Sequence, residues 1–215
     1  MASARARTRD TRGEILSAAA EEFAQHGPQG ARVQVICRRA RVNERMLYHH
    51  FASKEGLYTA VLEHQWQGLA EAWQPLLAEA SGLAPRPGLE RAFVALGRLL
   101  FARPFVLRLA MQEAMSGWRY APRATIDQVP AELRALHRRG QRAGDFRRDV
   151  PFERLYFAIL GALGWHSVFG DRFDDVRAAL TRDPAHGERL GAQLVGLILD
   201  GLAQKPAPTP KRRKQ

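Results

Sequence analysis

The sequence predicts an all-α protein in two parts, a small N-terminal three-helix unit and a larger C-terminal helical domain. Three observations predict it. Apolar residues recur at helical spacing along almost the whole chain, and no alternating strand pattern is visible. Proline and glycine divide the chain at intervals that suit helices. Residues 31–58, ARVQVICRRARVNERMLYHHFASKEGLY, read as two short helices around a tight turn, followed by the start of a third.

The elements follow in order. Val33, Ile36 and Ala40 repeat at helical spacing and share one face. Arg41-Val42-Asn43 is the turn, with Val42 as its apolar plug. Asn43 can cap the next helix, because its side-chain oxygen accepts an orphan backbone N–H. Leu47 and Phe51 are four apart and face inward. Ser53 is a second cap, and Lys54 stands just inside the helix it starts. That helix is expected over 53–77, with Pro75 bending or ending it. A Pro- and Gly-rich loop is expected over 80–88. Leu89, Phe93, Leu96, Leu100 and Phe101 then form an apolar helix face. Pro104 opens a helix over 105–115, which Gly117 ends. Pro122 can begin another running to about Ala143, and 144–151 is a connecting turn. Two strongly apolar helices are expected over 152–169 and 187–202, joined by 171–184.

A helix-turn-helix places its second helix in the DNA major groove. Here that leaves Glu44, Arg45, Met46, Tyr48, His49 and His50 for the outer surfaces. Polar and basic side chains there suit base edges and phosphates. The positive end of the following helix, with Lys54, favours a phosphate.

Charge placement agrees. The 215 residues carry a net charge of +11. Residues 1–54 hold 10 Lys/Arg against 5 Asp/Glu, and 205–215 hold 5 Lys/Arg and no acid, so the middle is almost neutral. A basic N-terminal domain and a basic tail fit nucleic-acid binding. Part of the arm with Arg5, Arg7, Arg9 and Arg12 is expected to be unfolded until DNA is present, the arm reaching phosphates or a minor groove, or else merely solvated. The Pro-rich tail is expected to be extended.

Other classes find little support. There is no phosphate loop, no G-x-S-x-G elbow and no H-E-x-x-H, so no catalytic residue, metal or cofactor is assigned. The single cysteine, Cys37, excludes an intrachain disulfide and reads as a small buried thiol. No apolar run approaches the length of a membrane span, and no signal-peptide pattern begins the chain. A cytoplasmic protein is expected.

The motif residues resemble the TetR family of bacterial transcriptional regulators. The resemblance rests on Val33-x-x-Ile36 with Ala40, Val42-Asn43, Leu47-Tyr48-His49-His50-Phe51 and Ser53-Lys54-Glu55-x-Leu57. Upstream, Ile15-Leu16-x-Ala18-Ala19-x-x-x-Phe23 followed by Gly27 matches the family's first helix. It covers about residues 8–69. Three positions depart from the family pattern. Arg32 stands where Thr or Ser is usual, removing a helix cap worth about 1 kcal/mol. Arg41 stands at a usual Gly, implying strain or a different turn. Glu44 replaces a commonly basic residue.

The resemblance implies a domain layout of a basic arm (1–7), a helix-turn-helix DNA-binding domain (8–69), a helical ligand-binding and dimerisation domain (70–204) and a basic tail (205–215). DNA contacts are assigned to Arg32, Gln34, Arg41, Asn43, Glu44, Arg45, Met46, Tyr48, His49, His50 and Lys54. A homodimer is expected through the helices from Phe152 to Phe169 and from Gly187 to Leu202. Their stripes are Leu190, Leu194, Leu197, Ile198 and Leu202 with Gly191 and Gly201, and Tyr156, Phe157, Leu160, Gly161, Leu163 and Gly164. An effector pocket is assigned to Trp66, Phe101, Phe105, Met111, Met115, Trp118, His137, Trp165, His166 and Phe169, with Gln112 and Glu113 as further polar handles. The expected function is a repressor released from a palindromic operator by a small apolar ligand. The alternative is an architectural or partner-controlled DNA-binding protein with no small effector.

Overall fold

The computed structural model describes residues 2–121, 125–169, 172–174 and 186–203. Its helices are α1 (Ala2–Gly30), α2 (Val33–Ala40), α3 (Glu44–Phe51), α4 (Lys54–Ser81), α5 (Pro85–Phe101), α6 (Pro104–Met115), α7 (Ala131–Ala143), α8 (Phe152–Phe169) and α9 (His186–Leu202). Among the described residues no strand forms, and one isolated antiparallel bridge joins Phe146 to Ala203. The expected all-α architecture is present. None of these helices is long and apolar enough to cross a membrane.

Two cores form. The first gathers Ile15, Leu16, Ala19 and Phe23 of α1, Val33 and Ile36 of α2, Leu47 and Phe51 of α3, and Leu57, Tyr58, Val61 and Leu62 of α4. The second gathers Trp73, Leu77 and Ala80 of α4 with Phe93, Leu96, Leu133, Phe146, Ile159, Val195 and Leu199. Thus α4 serves both cores, and Trp66, midway along it, packs against each. Its 28 residues make it about 42 Å long at 1.5 Å per residue. Further contact comes from α6, whose Leu109 is buried in the first core together with Ala121. Gly27 breaks α1 with φ 65°, ψ 174°, a conformation that suits a residue without Cβ. A Cβ there would stand 3.0 Å from Gln112 Oε1, so α6 passes close to the break.

Several boundaries differ from expectation. Pro75 does not end α4, which runs to Ser81. Proline removes one backbone donor, but Trp73, Leu77 and Ala80 anchor the helix on both sides of it. Trp73 Nε1–H also donates to Ala92 O at 2.9 Å. The loop expected over 80–88 shrinks to 82–84, because Pro85 and Pro87 lie in the first turn of α5, where missing donors cost little. Arg139 closes this corner, donating to Ser81 O and Leu83 O at 2.9 Å each. The helix expected from Pro122 to Ala143 begins only at Ala131. Before it, Ile126–Gln128 form one 3-10 turn with Thr125 and Gln128 as a capping box. Val129 is extended, as a residue preceding proline prefers. Residues 122–124 and most of 171–184 lie outside the described residues, as does the tail from 204 on. The arm, of which part is expected to be unfolded, has a helical backbone from Ala2, consistent with the high helix propensity of its Ala and Arg residues.

The apolar stripes of α8 and α9 divide between two faces. Leu163 and Leu202 turn into the core, and a Cβ on Gly191 would meet Leu163 and Phe101. Phe157, Trp165 and Leu197 point outward, at 64%, 66% and 69% exposed. Cβ atoms on Gly161, Gly196 and Gly201 would meet nothing within 4 Å.

His137 is buried between Phe146 and Phe152, with ring centroids 6.1 and 5.9 Å away. Its Nε2 has no hydrogen-bond partner among the described residues. Burial lowers its pKa, against an opposing pull from Glu153 and a hydrogen bond to the Val150 backbone. The unfolded chain therefore binds this proton more readily. The stability tied to His137 is complete above its ordinary value of about 6.5 and is lost as pH falls below it. Thermal melts of wild type are expected to shift downward over that interval. Melts of His137→Leu are expected to shift less.

Candidate nucleic-acid interface

The helix-turn-helix is built as its residues dictate. Val33, Ile36, Cys37 and Ala40 are buried on one side of α2. Burial, and secondarily Glu44, pushes the Cys37 thiol pKa up, which keeps it unreactive. Arg41 adopts a left-handed conformation, φ 55° and ψ 39°, so the turn keeps the geometry that glycine would favour, with an arginine in it. Val42 N–H donates to Cys37 O at 3.0 Å, and Val42 is half-buried. Asn43 Oδ1 accepts from Met46 N at 2.8 Å. Leu47 and Phe51 are buried.

With its inner face fixed by Leu47 and Phe51, α3 presents Glu44, Arg45, Met46, Tyr48 and His49 to solvent, while His50 is half-buried. Asn43, Arg45, Met46 and His49 line a shallow groove of about 470 Å³. Arg32, Gln34 and Arg41 are exposed on or beside α2. The Arg12 guanidinium lies 5.3 Å above the Phe51 ring, a cation–π contact that ties α1 to α3. Ser53 Oγ accepts from Gly56 N at 2.9 Å and caps α4. Lys54 departs from expectation: its ammonium donates to Gln29 O at 3.0 Å, so a phosphate would have to compete with that bond.

Sequence reasoning passed over Gly56. A Cβ there would lie 2.3 Å from Phe51 O, so α4 starts against the backbone end of α3 at a distance only glycine allows. The serine cap marks the helix start, but the approach is tertiary and leaves no local signal.

Among the described residues, the ten proposed effector residues fall into several separate contacts. Phe101 and His166 meet edge to face at 6.1 Å, and Trp165 stacks on Phe169 at 3.9 Å. His137 belongs to the packed core and Trp66 to the junction of the two cores. Met111 is half-buried on α6. Phe105 borders a groove of about 590 Å³ shared with Glu14, Ser17, Arg39 and Arg41 of the N-terminal unit. Met115 is 84% exposed, and Trp118 also stands in solvent. Gly117 and Trp118 are both left-handed, with φ 75° and 58°, which turns Trp118 away from the helices.

Glu113 is a handle of another kind. It is wholly buried, and its Oε2 accepts from Tyr120 N at 3.0 Å and Ala121 N at 2.9 Å. Burial, then the Glu113 charge, raises the pKa of the Tyr58 hydroxyl on α4 far above the usual tyrosine value. The carboxylate thus ties α6 to the segment that follows it.

Residues 15–61 match the family model described as bacterial regulatory proteins, tetR family. Residues 85–198 match the tetracyclin repressor-like C-terminal domain. The chain is 36% identical over 196 residues to the HTH-type transcriptional regulator UidR of Escherichia coli, covering 87% of this chain and 93% of that protein. It is 31% identical over 154 residues to the HTH-type transcriptional repressor NicS of Pseudomonas putida, covering 69% and 72%. Among solved structures, the TetR family transcriptional regulator PfmR from Thermus thermophilus superposes with a TM-score of 0.65 at 26% identity, covering 86% of this chain and 97% of that one. With a helix-turn-helix in register, matches to both domains and relatives spanning most of its length, the chain belongs to the TetR family of DNA-binding bacterial regulatory proteins.

Proposed function

We propose that the protein is a homodimeric repressor that binds a palindromic operator through α3 and is released by a small apolar ligand. The observation that carries this reading is the division of α3. Leu47 and Phe51 lock one face into the core, leaving Arg45, Met46, Tyr48 and His49 exposed for the groove. The outward apolar face of α8 and α9, with Phe157, Trp165 and Leu197, supports pairing with a second copy. A two-fold pair presents two α3 helices to successive major grooves, about 34 Å apart, and so favours a palindrome.

Ligand control is supported by the path between the domains. A ligand preferring a conformer with altered head spacing lowers DNA affinity by linkage. Here α4 is shared by both cores, and α6 buries Leu109 in the first of them beside the start of α4. The exposure of Met115 and Trp118, two of the candidate effector residues, favours a second reading, in which a protein partner rather than a small ligand controls release.

The roles within α3 have a direct test. Selection from random duplexes with Arg45→Ala or Met46→Ala is expected to return altered base preferences. Tyr48→Ala is expected to retain the preference while losing about fivefold in affinity for all sequences, as for one phosphate hydrogen bond. A changed preference with undiminished affinity for Tyr48→Ala would contradict the assignment.

A further inference from the structure

The helix before the turn starts without a side-chain cap. Arg32 precedes α2 with extended backbone, φ −111° and ψ 119°, and its side chain makes no capping bond. The Arg32 backbone N–H instead donates to Glu22 Oε1 of α1, at 3.2 Å. Glu22 is only 2% exposed. The same Oε1 lies 4.0 Å from His26 Nε2, and Oε2 lies 3.6 Å from Arg39 Nη1 in the last turn of α2. Arg39 also pairs with Glu21, at 3.4 Å. One buried carboxylate therefore engages both ends of an eight-residue helix.

This arrangement has a physical logic. A helix of that length is not stable by itself in water. Its first turn carries orphan N–H groups and partial positive charge, which an anion stabilises. Its last turn carries partial negative charge, which Arg39 offsets. Removing one partner from a buried ion pair leaves the other uncompensated.

We propose that Glu22 is a positioning residue for DNA recognition. It holds the N–H that opens α2 and the arginine that closes it, keeping α2 ordered at the angle that, through the left-handed turn at Arg41, presents α3 to the groove. When α2 frays, only the ordered fraction of molecules binds, and apparent affinity falls by that fraction. The proposal rests on α3 being the DNA-reading helix. Binding of a selected duplex by wild type, with altered base preference in Arg45→Ala, establishes that before any Glu22 variant is compared.

The test is a double-mutant cycle on that duplex, by fluorescence anisotropy, at a temperature where circular dichroism shows every variant folded. Glu22→Leu is expected to bind about tenfold more weakly. Arg32→Thr adds a side-chain cap on the following N–H groups and raises the ordered fraction of α2, so Glu22→Leu made in the Arg32→Thr background is expected to cost less than about twofold. Comparing within each background removes any DNA contact of Arg32 itself from the result. A Glu22→Leu protein that melts earlier but binds as tightly as wild type would overturn the proposal, because Glu22 would then serve stability alone. An equal loss in both backgrounds would overturn it too, because Glu22 would not be acting through the order of α2. Where Glu22→Leu does not fold, Glu22→Gln carries the same cycle. It keeps the size and an acceptor but loses the charge, and about a threefold loss is expected, smaller in the Arg32→Thr background; an equal loss in both again overturns the proposal.

Discussion

Leu197→Arg is expected to turn the protein into a monomer and to weaken operator binding by more than about 100-fold. Leu197 is 69% exposed in the single chain, so an arginine there fits the folded protomer without strain. In a two-fold pair the same substitution occurs on both copies of one self-complementary surface. Two guanidinium groups would then be buried without partners, which a desolvated interface does not tolerate. Separate protomers hold the operator through one reading head each and lose the gain in effective concentration that linkage provides. Sedimentation velocity and duplex titration measure the two effects together. A variant that remains dimeric would place the interface elsewhere, and a monomer that binds normally would remove the need for one.

Gly56→Ala is expected to be the most damaging single-methyl change in the reading head. The new Cβ would lie 2.3 Å from Phe51 O, a backbone atom that no side-chain rotation can move aside. Around it, Ala52 is already left-handed, with φ 60°, and Ser53 N–H donates to Phe51 O at 2.6 Å. Relief requires α3 and α4 to separate, at about 1–3 kcal/mol for overpacking of this kind, and α3 loses its fixed orientation. Operator affinity is expected to fall about tenfold or more, with faster amide exchange confined to α2, α3 and the start of α4. Ser53→Ala removes only the cap and is expected to cost about 1 kcal/mol. If Gly56→Ala binds like wild type, the junction has more freedom than its geometry implies.

The reading head was the most legible part of the chain because its determinants are local. Val33, Ile36, Leu47 and Phe51 declare their face by spacing, and Asn43 and Ser53 cap as their side-chain chemistry allows. Pro104 opens α6 as expected. Errors arose where one residue supports two outcomes. Proline both starts and breaks helices. Pro75 was overridden by buried neighbours, while Pro85 and Pro87 began a helix in place of a loop. Aromatic side chains were harder still. Trp73 is buried and Trp165 exposed, although both sit on apolar helices, because the side facing the core depends on which helices pack there. Gly56 and Glu22 were illegible for the same reason. Gly56 matters through Phe51 O, and Glu22 through Arg32 and Arg39, contacts that exist only once α1, α2, α3 and α4 are assembled.

Selection of bound sequences from a random duplex pool, with purified wild-type protein at about 150 mM salt to suppress non-specific binding, tests the central claim most directly. The account predicts one palindromic motif, with half-sites spaced for two reading heads and two protomers bound per site. Recovery of no shared motif by folded protein, or of a single asymmetric half-site held by one protomer, would contradict it.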